Sequence, residues 1–514
     1  MIKFLILIFS VATGIYAQQN YIAVVMEYSP QIRDPTHTDI EYIAVNVRRY
    51  VEFIQQAVAR QGQIVVFPEY GLTTTNLPAD LVNMSTTVPD PAEFISPCAN
   101  RTGFEGFFTD LSCAADTHNI IVVVNLIERA NNSENATIYY NTNVVFASNG
   151  TVIARYRKIN LFNEPQLTAG NEVVTFTALN NITFGLFTCF DILFKTPAQD
   201  VLDLGATDII YPTAWTSETP FHHSFSIQDG YAKSNGVNLL VSGYSNVSNG
   251  MAGAAIFSAD GRIVISSMTP AAAQNLFPGT LNVISRRSPQ AVCSNNEIGT
   301  PRIGLLPEIT AVLEVMHENM GLYSFQNLPL GVNETAGQIC SEETDFCCDY
   351  NIEFNTLLAA NSTIYKMVAF FGRRGFQEAE TSINTIGVRT CALVHCNSED
   401  NMSCGRFNAT TDVNFRSVRI RARVDSRNSS YQPATLDNNH SPLTGFSFCT
   451  SNNENTDEME IDLQVNNTQT LFTFGIFGRV YSLDGLPQGR GAASTIHLSF
   501  FAIIMMYLWL VLLY

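Results

Sequence analysis

The sequence predicts an α/β protein with a layered sheet, followed by a cysteine-rich β region. Three observations carry this expectation. From about residue 20 to 290, β-rich segments alternate with helical patterns, the mark of strands separated by helices. Near residue 290 the pattern changes to short alternating strands with few helical stretches. Seven of the eleven cysteines then fall between Cys340 and Cys449. At 514 residues the chain exceeds one core and implies two or more domains. With 46% hydrophobic and 14% charged residues, its composition is globular and not disordered.

Taken in order, Tyr21–Glu27 reads as a strand and Asp39–Gln61 as an amphipathic helix. Gln63–Phe67 is a second strand running straight into Pro68-Glu69. Ile120–Ile127 follows, then the pair Val144–Ser148 and Thr151–Tyr156, joined at the hairpin signal Asn149-Gly150. Thr183–Thr188 is another strand. After it, Thr196-Pro197 carries the signature of a helix start, with a cap and a proline at the first helical position. Asp208–Tyr211, Val237–Ser242 and Ala254–Ser258 supply further strands, and Val418–Val424 and Thr470–Phe474 mark the second region.

Both ends carry targeting signals. Met-Ile-Lys, an apolar run from Phe4 to Ile15 and small Ala17 make a secretory signal peptide over residues 1–17. Leu498–Tyr514 is apolar, uncharged and preceded by Gly491-Ala492-Ala493-Ser494, which fits a GPI-attachment signal over 486–514 whose hydrophobic tail is removed. A plain C-terminal membrane anchor is the rival reading. Fourteen Asn-x-Ser/Thr sequons, from Asn83 to Asn466, point to N-linked glycans. The net charge of −18 argues against a nucleic-acid partner. The one basic row, Arg419, Arg421 and Arg423, alternates with apolar residues and reads as the wet face of a strand. An odd cysteine count in an oxidising compartment leaves at least one thiol without an intramolecular partner. Cys98 and Cys113 are spaced to close a local loop. Cys189 stands far from every other cysteine and is the natural odd one out.

Three segments each end a predicted strand with a reactive side chain: Val65-Val66-Phe67-Pro68-Glu69-Tyr70-Gly71, Ala154-Arg155-Tyr156-Arg157-Lys158 and Phe187-Thr188-Cys189-Phe190-Asp191. Ligands gather at the carboxyl ends of strands in α/β sheets, so these positions can converge. Singly, each has a structural explanation: a solvated turn, a surface lysine, a core cysteine. Together they are a base, a cation and a thiol. Adjacent His222 and His223 lack a third ligand, so no metal and no cofactor is assigned.

These segments resemble the Glu–Lys–Cys triad of the nitrilase (carbon–nitrogen hydrolase) superfamily. Thr188-Cys189-Phe190-Asp191-Ile192-Leu193-Phe194 and Tyr211-Pro212-Thr213-Ala214-Trp215 are similar to its vanin and biotinidase branch, which includes pantetheinases. The resemblance implies a four-layered αββα sandwich over 18–290 and a disulfide-stapled β-rich domain over 291–485. It implies Glu69 as general base, Lys158 as the cation near the oxyanion, Cys189 as nucleophile and Glu164 as a supporting carboxylate. The backbone N–H of Phe190 would aid the oxyanion. Two departures bear on the substrate. Tyr70 stands where the family has an acid, and the stretches around His222 and Tyr231 are unlike family wording. Tyr70, Trp215, His222 and Tyr231 are therefore candidate pocket residues. The implied activity is hydrolysis of a small-molecule linear amide, with pantetheine first. A biotinyl amide, or a non-catalytic surface glycoprotein of the same fold, are the alternatives.

Overall fold

Side chains alternate along the first strand, Asn20–Tyr28, so that Val24, Met26 and Tyr28 enter one core while Ala23 and Val25 enter another. The computed structural model describes residues 20–490 apart from 32–35, 180, 270, 286, 289–312, 343, 357, 359–361, 377–384, 408–412, 454–455, 470 and 486–488. The predicted signal peptide, Cys293, the sequons at Asn361 and Asn408, and the predicted GPI signal beyond Arg490 lie outside the described residues.

Asn20–Tyr28 runs parallel to Ile64–Val66, which pairs with Ile121–Asn131; Thr137–Phe146 and Val152–Arg157 complete that half as an antiparallel hairpin. The second half is Asn238–Tyr244, Asp208–Thr213, Ile182–Leu186 and Val174–Ala178. The two halves pair only at Glu27–Gly243 and Tyr28–Tyr244. Joined at one end and splayed elsewhere, they face each other as two sheets across the core that holds Val25, Val66, Ile210 and Leu240. Helices Asp39–Ala59 and Gly106–His118 cover the outer face of the first sheet. Ser224–Asn235 packs outside the second. The order is helix, sheet, sheet, helix.

The first helix starts where Thr38 and Glu41 form a reciprocal capping box. The segment at Thr196-Pro197 differs from its expected form. Thr196 is extended (φ −98°, ψ 118°), its bond to Pro197 is cis, and its hydroxyl donates to Asp200 at 2.5 Å instead of capping a helix. Two single turns, Lys195–Ala198 and Asp200–Asp203, stand there. Ser224–Asn235 leaves no amphipathic trace in the sequence because Ser224 through Lys233 are all buried.

Beyond residue 312 the chain builds two antiparallel sheets. One orders Ser324–Asn327, Ile364–Arg374, Ile386–Cys396, Leu471–Val480 and Ser429–Asp437; the other orders Glu334–Cys340, Cys347–Phe354, Phe415–Asp425, Glu458–Thr468 and Phe446–Asn452. They enclose their own core, and Cys348–Cys391 bridges one sheet to the other. Cys340–Cys347, Cys396–Cys404 and, in the first unit, Cys98–Cys113 close local loops. Of the arginine row, Arg419 pairs with Asp462 on the neighbouring strand.

The second unit is no loose appendage. Val368, Phe370, Val388 and Phe477 join the same core as the two sheets of the first unit. At this seam His222 Nδ1 and Glu318 Oε1 are 2.8 Å apart, and Arg374 contacts both Glu318 (3.3 Å) and Glu218 (2.5 Å). Next to it, His440 Nδ1 faces His223 Nε2 at 3.2 Å. One proton serves that contact, so the neutral pair fits and a doubly charged pair is repelled.

Burial lowers the His440 pKa to about 4, below the ordinary histidine value of 6.5. The unfolded chain therefore takes up that proton first on acidification, and this contribution to stability is lost from about pH 6.5 down to about 4. Thermal melting at pH 7 and pH 4.5 is expected to show a smaller difference for His440→Gln than for the wild type. An equal or larger difference would contradict the reading.

Candidate active site

Each reactive side chain sits just past the carboxyl end of a strand. Glu69 follows Ile64–Val66, Lys158 follows Val152–Arg157, and Cys189 opens a single tight turn, Cys189–Leu193, after Ile182–Leu186. Glu69, Lys158 and Cys189 are all buried. Lys158 Nζ donates to Glu69 Oε1 and to Glu164 Oε2, both at 2.8 Å. Glu69 also accepts from Asn141 Nδ2 at 2.8 Å and from the backbone N–H of Ala214 at 2.8 Å. Glu164 accepts from Asn141 Nδ2 (2.7 Å), the N–H of Phe162 (2.9 Å) and the Tyr70 hydroxyl.

The electrostatics follow from one ammonium enclosed with two carboxyl side chains. Burial alone would lower the Lys158 pKa, but Glu164 and Glu69 overcome it and hold the ammonium well above its ordinary value. Burial alone would raise Glu164; Lys158 and the hydrogen bonds from Lys158, Tyr70 and Asn141 bring it below the usual carboxylate range instead. Burial, reinforced by the charge of Glu69, pushes the Cys189 thiol far up, against the opposing pull of Lys158. Thr213 and the backbone of Ala214 lie beside the sulfur.

Two backbone conformations are unusual here. Tyr70 (φ 58°) and Cys189 (φ 49°) both occupy the left-handed region, which side chains beyond glycine seldom adopt. Tyr70 is fixed by its N–H donating to Asn125 Oδ1 at 3.0 Å. The next residue must be glycine, since a Cβ at Gly71 would collide with the Tyr50 hydroxyl. The Cys189 turn is gripped on three sides. Tyr211 donates to its carbonyl (2.8 Å), Thr188 N–H donates to Asp191 (3.1 Å), and Asp191 is itself held by Tyr156 (2.6 Å) and Asn160 (2.8 Å).

The structure brings Glu69, Lys158, Glu164, Tyr70 and Cys189 together. The Phe190 ring packs on Phe162 and on Phe376 of the second unit, with centroids 5.0 and 5.1 Å apart. Phe376 also lines a cavity of about 480 Å³ at the seam, with Glu218, Glu318 and Arg374. Trp215 donates its indole N–H to the His222 carbonyl at 2.8 Å. His222 and Tyr231 are committed elsewhere: His222 to Glu318, and the Tyr231 hydroxyl to the Ala198 carbonyl at 2.6 Å, with its ring against Phe187. Both are almost fully buried, so neither stands at an open pocket mouth. His222 and His223 turn to different partners. Among the described residues no group of three or more His, Cys, Asp or Glu is placed to hold one metal ion.

Asn125, Asn141 and Asn143 also belong to this site and fall in none of its motifs. Their signal is faint: polar residues inside strands that are otherwise apolar.

Comparison with known proteins decides the family. Residues 36–272 match the carbon–nitrogen hydrolase family and residues 314–484 match the vanin C-terminal domain. Vanin-like protein 1 of Drosophila melanogaster is 30% identical, over 84% of this chain and 81% of that protein. The chain belongs to the vanin branch of the carbon–nitrogen hydrolase family. It is an amide-cleaving hydrolase. A pantetheine hydrolase of Homo sapiens is 26% identical over 93% of this vanin-family chain and 92% of its own length. A biotinidase of Takifugu rubripes is 28% identical over 75% and 81%. A solved nitrilase-superfamily member of Saccharomyces cerevisiae covers 51% of this chain and 90% of its own, at 20% identity and a TM-score of 0.41.

The raised thiol pKa has a direct readout. The ultraviolet difference spectrum of wild type minus Cys189→Ala is expected to show no thiolate absorbance step between about pH 6 and about pH 9. A step centred below about pH 8 would mean a preformed thiolate.

Proposed function

We propose that this chain is an extracellular amidohydrolase that cleaves pantetheine to pantothenate and cysteamine through a thioester on Cys189. The observation that carries the reading is the buried Lys158 ammonium, shared between Glu69 and Glu164 beside a cysteine outside every disulfide. A cation fixed there supports negative charge on a carbonyl oxygen, and a carboxylate fixed there can move a proton to and from sulfur.

In the proposed cycle the sulfur attacks the amide carbon while its proton passes to Glu69. The carbonyl π electrons move to oxygen, where Lys158 Nζ and the backbone N–H of Phe190 receive the charge. As the oxyanion collapses, the C–N bond breaks and Glu69 returns the proton to the departing amine, which leaves as cysteamine. Water then adds to the thioester, giving a proton to Glu69. The C–S bond breaks, sulfur regains a proton, and the acid departs. Because one carboxylate carries both proton transfers, a protonated resting thiol is compatible with catalysis.

Secretion is supported by the four disulfides among the described residues, which belong to an oxidising compartment. Of the twelve sequon asparagines among the described residues, all are exposed except half-buried Asn246, so glycans have room. The lipid anchor is proposed from the C-terminal sequence. Among the described residues no helix is long and apolar enough to cross a membrane.

A biotinyl amide is the second substrate to test, because biotinidases stand among the relatives at comparable identity. Glycosylated protein secreted from eukaryotic cells is expected to release cysteamine from pantetheine faster than it cleaves a biotinyl amide. Cys189→Ala should abolish release, and Lys158→Ala should lower kcat/KM by at least ~10²–10³-fold. Release by Cys189→Ala at the wild-type rate would remove the mechanism, and preference for the biotinyl amide would move the substrate assignment.

A further inference from the structure

Beneath the site, two neighbouring strands bring side-chain amides together. Asn125 on Ile121–Asn131 is the register partner of Asn143 on Thr137–Phe146, and Asn141 lies two residues before it on the same face. All three are almost completely buried, as is Thr188. Asn125 Nδ2 donates to Asn141 Oδ1 at 2.6 Å and to Asn143 Oδ1 at 2.9 Å, while its Oδ1 accepts from Tyr70 N–H at 3.0 Å. Asn141 Nδ2 reaches Glu69 and Glu164, and Asn143 Nδ2 reaches Thr188 Oγ1 at 2.8 Å.

Chemistry forces the direction of every one of these bonds. Ionised carboxylates only accept, so Asn141 must present its N–H groups to Glu69 and Glu164. Its oxygen is then left for Asn125, whose second N–H goes to Asn143, and the Asn143 amide turns its own N–H groups to Thr188. Asn125 thus stands at a fork. One arm holds the base, through Asn141 and the Tyr70 backbone; the other ends on the residue bonded directly to Cys189.

We propose that Asn125, Asn143 and Thr188 are positioning residues that tie the Glu69 loop and the Cys189 turn into one frame, fixing the line of proton transfer between them. This rests on the roles proposed above for Glu69 and Cys189. Both ends of the link are backbone segments in the left-handed region, the conformations most in need of an external hold. The link crosses from the first sheet to the second, which share only a short paired end.

The test compares Thr188→Val, Asn143→Leu, the double variant, and Thr188→Ser in the secreted protein. Rates are expressed per mole of folded protein isolated by size exclusion, and iodoacetamide alkylation is followed on the peptide that contains Cys189, so neither misfolded protein nor another cysteine enters. Thr188→Val and Asn143→Leu are each expected to lower kcat on the cleaved amide about tenfold with KM changed less than about twofold, the size of one buried hydrogen bond. The iodoacetamide rate of Cys189, which needs no substrate assignment, should fall in parallel. The double variant should be no more than about twofold worse than the poorer single, and Thr188→Ser should recover most of the loss. Should Asn143→Leu fail to be secreted, Thr188→Val against Thr188→Ser decides alone. Wild-type kcat and alkylation rates per mole of folded protein, with only the melting temperature lowered, would overturn the proposal, as would losses that multiply in the double variant. A fully active Cys189→Ala would instead strike the nucleophile assignment on which the proposal stands.

Discussion

The buried Lys158 ammonium is the interaction on which the rest of the site depends. A single positive charge lies out of water, 2.8 Å from each of two carboxyl groups on different segments of the chain. Removing one member of such a buried set costs about 3–5 kcal/mol, because it strands the remaining charge without a partner. That penalty keeps Glu69, Lys158 and Glu164 together in the resting protein. The same enclosure, with Glu69 beside the sulfur, keeps Cys189 a thiol. A protonated sulfur beside a carboxyl group is the arrangement that the proposed coupled attack and proton transfer requires.

Holding this cluster in place takes most of the surrounding fold. Left-handed backbone at Tyr70 and Cys189 costs roughly 1–3 kcal/mol each and persists only where neighbours over-determine it. Asp191, Tyr156, Asn160 and Tyr211 secure one turn, while Asn125 and the Gly71–Tyr50 approach secure the other. The second unit adds to this support from outside. Its Phe376 packs on Phe190 next to Cys189, and its Arg479 Nε donates to the Leu193 carbonyl at the end of the Cys189 turn. A β-sandwich that shares a continuous core with the first unit thus contacts the Cys189 turn directly.

Much of this was legible in the sequence. Val65-Val66-Phe67 and Phe184-Gly185-Leu186 announce buried strands, Asn149-Gly150 announces a hairpin, and Glu69, Lys158 and Cys189 each stand at a strand end. Cys189 was separable from the other cysteines by distance along the chain. The partners of these groups were harder to read, because a hydrogen bond such as Asn141 to Glu69 joins residues 72 positions apart. Asparagines inside strands look like ordinary polar interruptions until the register is known. His222 and Tyr231 are candidate pocket residues from their unusual neighbours, and their bonds to Glu318, Arg374 and Ala198 join residues too far apart in the chain to be read from sequence. The helix Ser224–Asn235 was silent because it is buried on all sides, which erases the amphipathic period.

In the proposed mechanism the chemistry occurs on the sulfur of Cys189, and rapid-quench mass spectrometry during turnover of pantetheine tests that most directly. Acid quench followed by peptide mapping should find the acyl half of the substrate attached to the peptide that contains Cys189, with the adduct forming before acid product accumulates. Amine release with that peptide never acylated, or with the acyl group on another residue, would contradict the assignment of this cysteine.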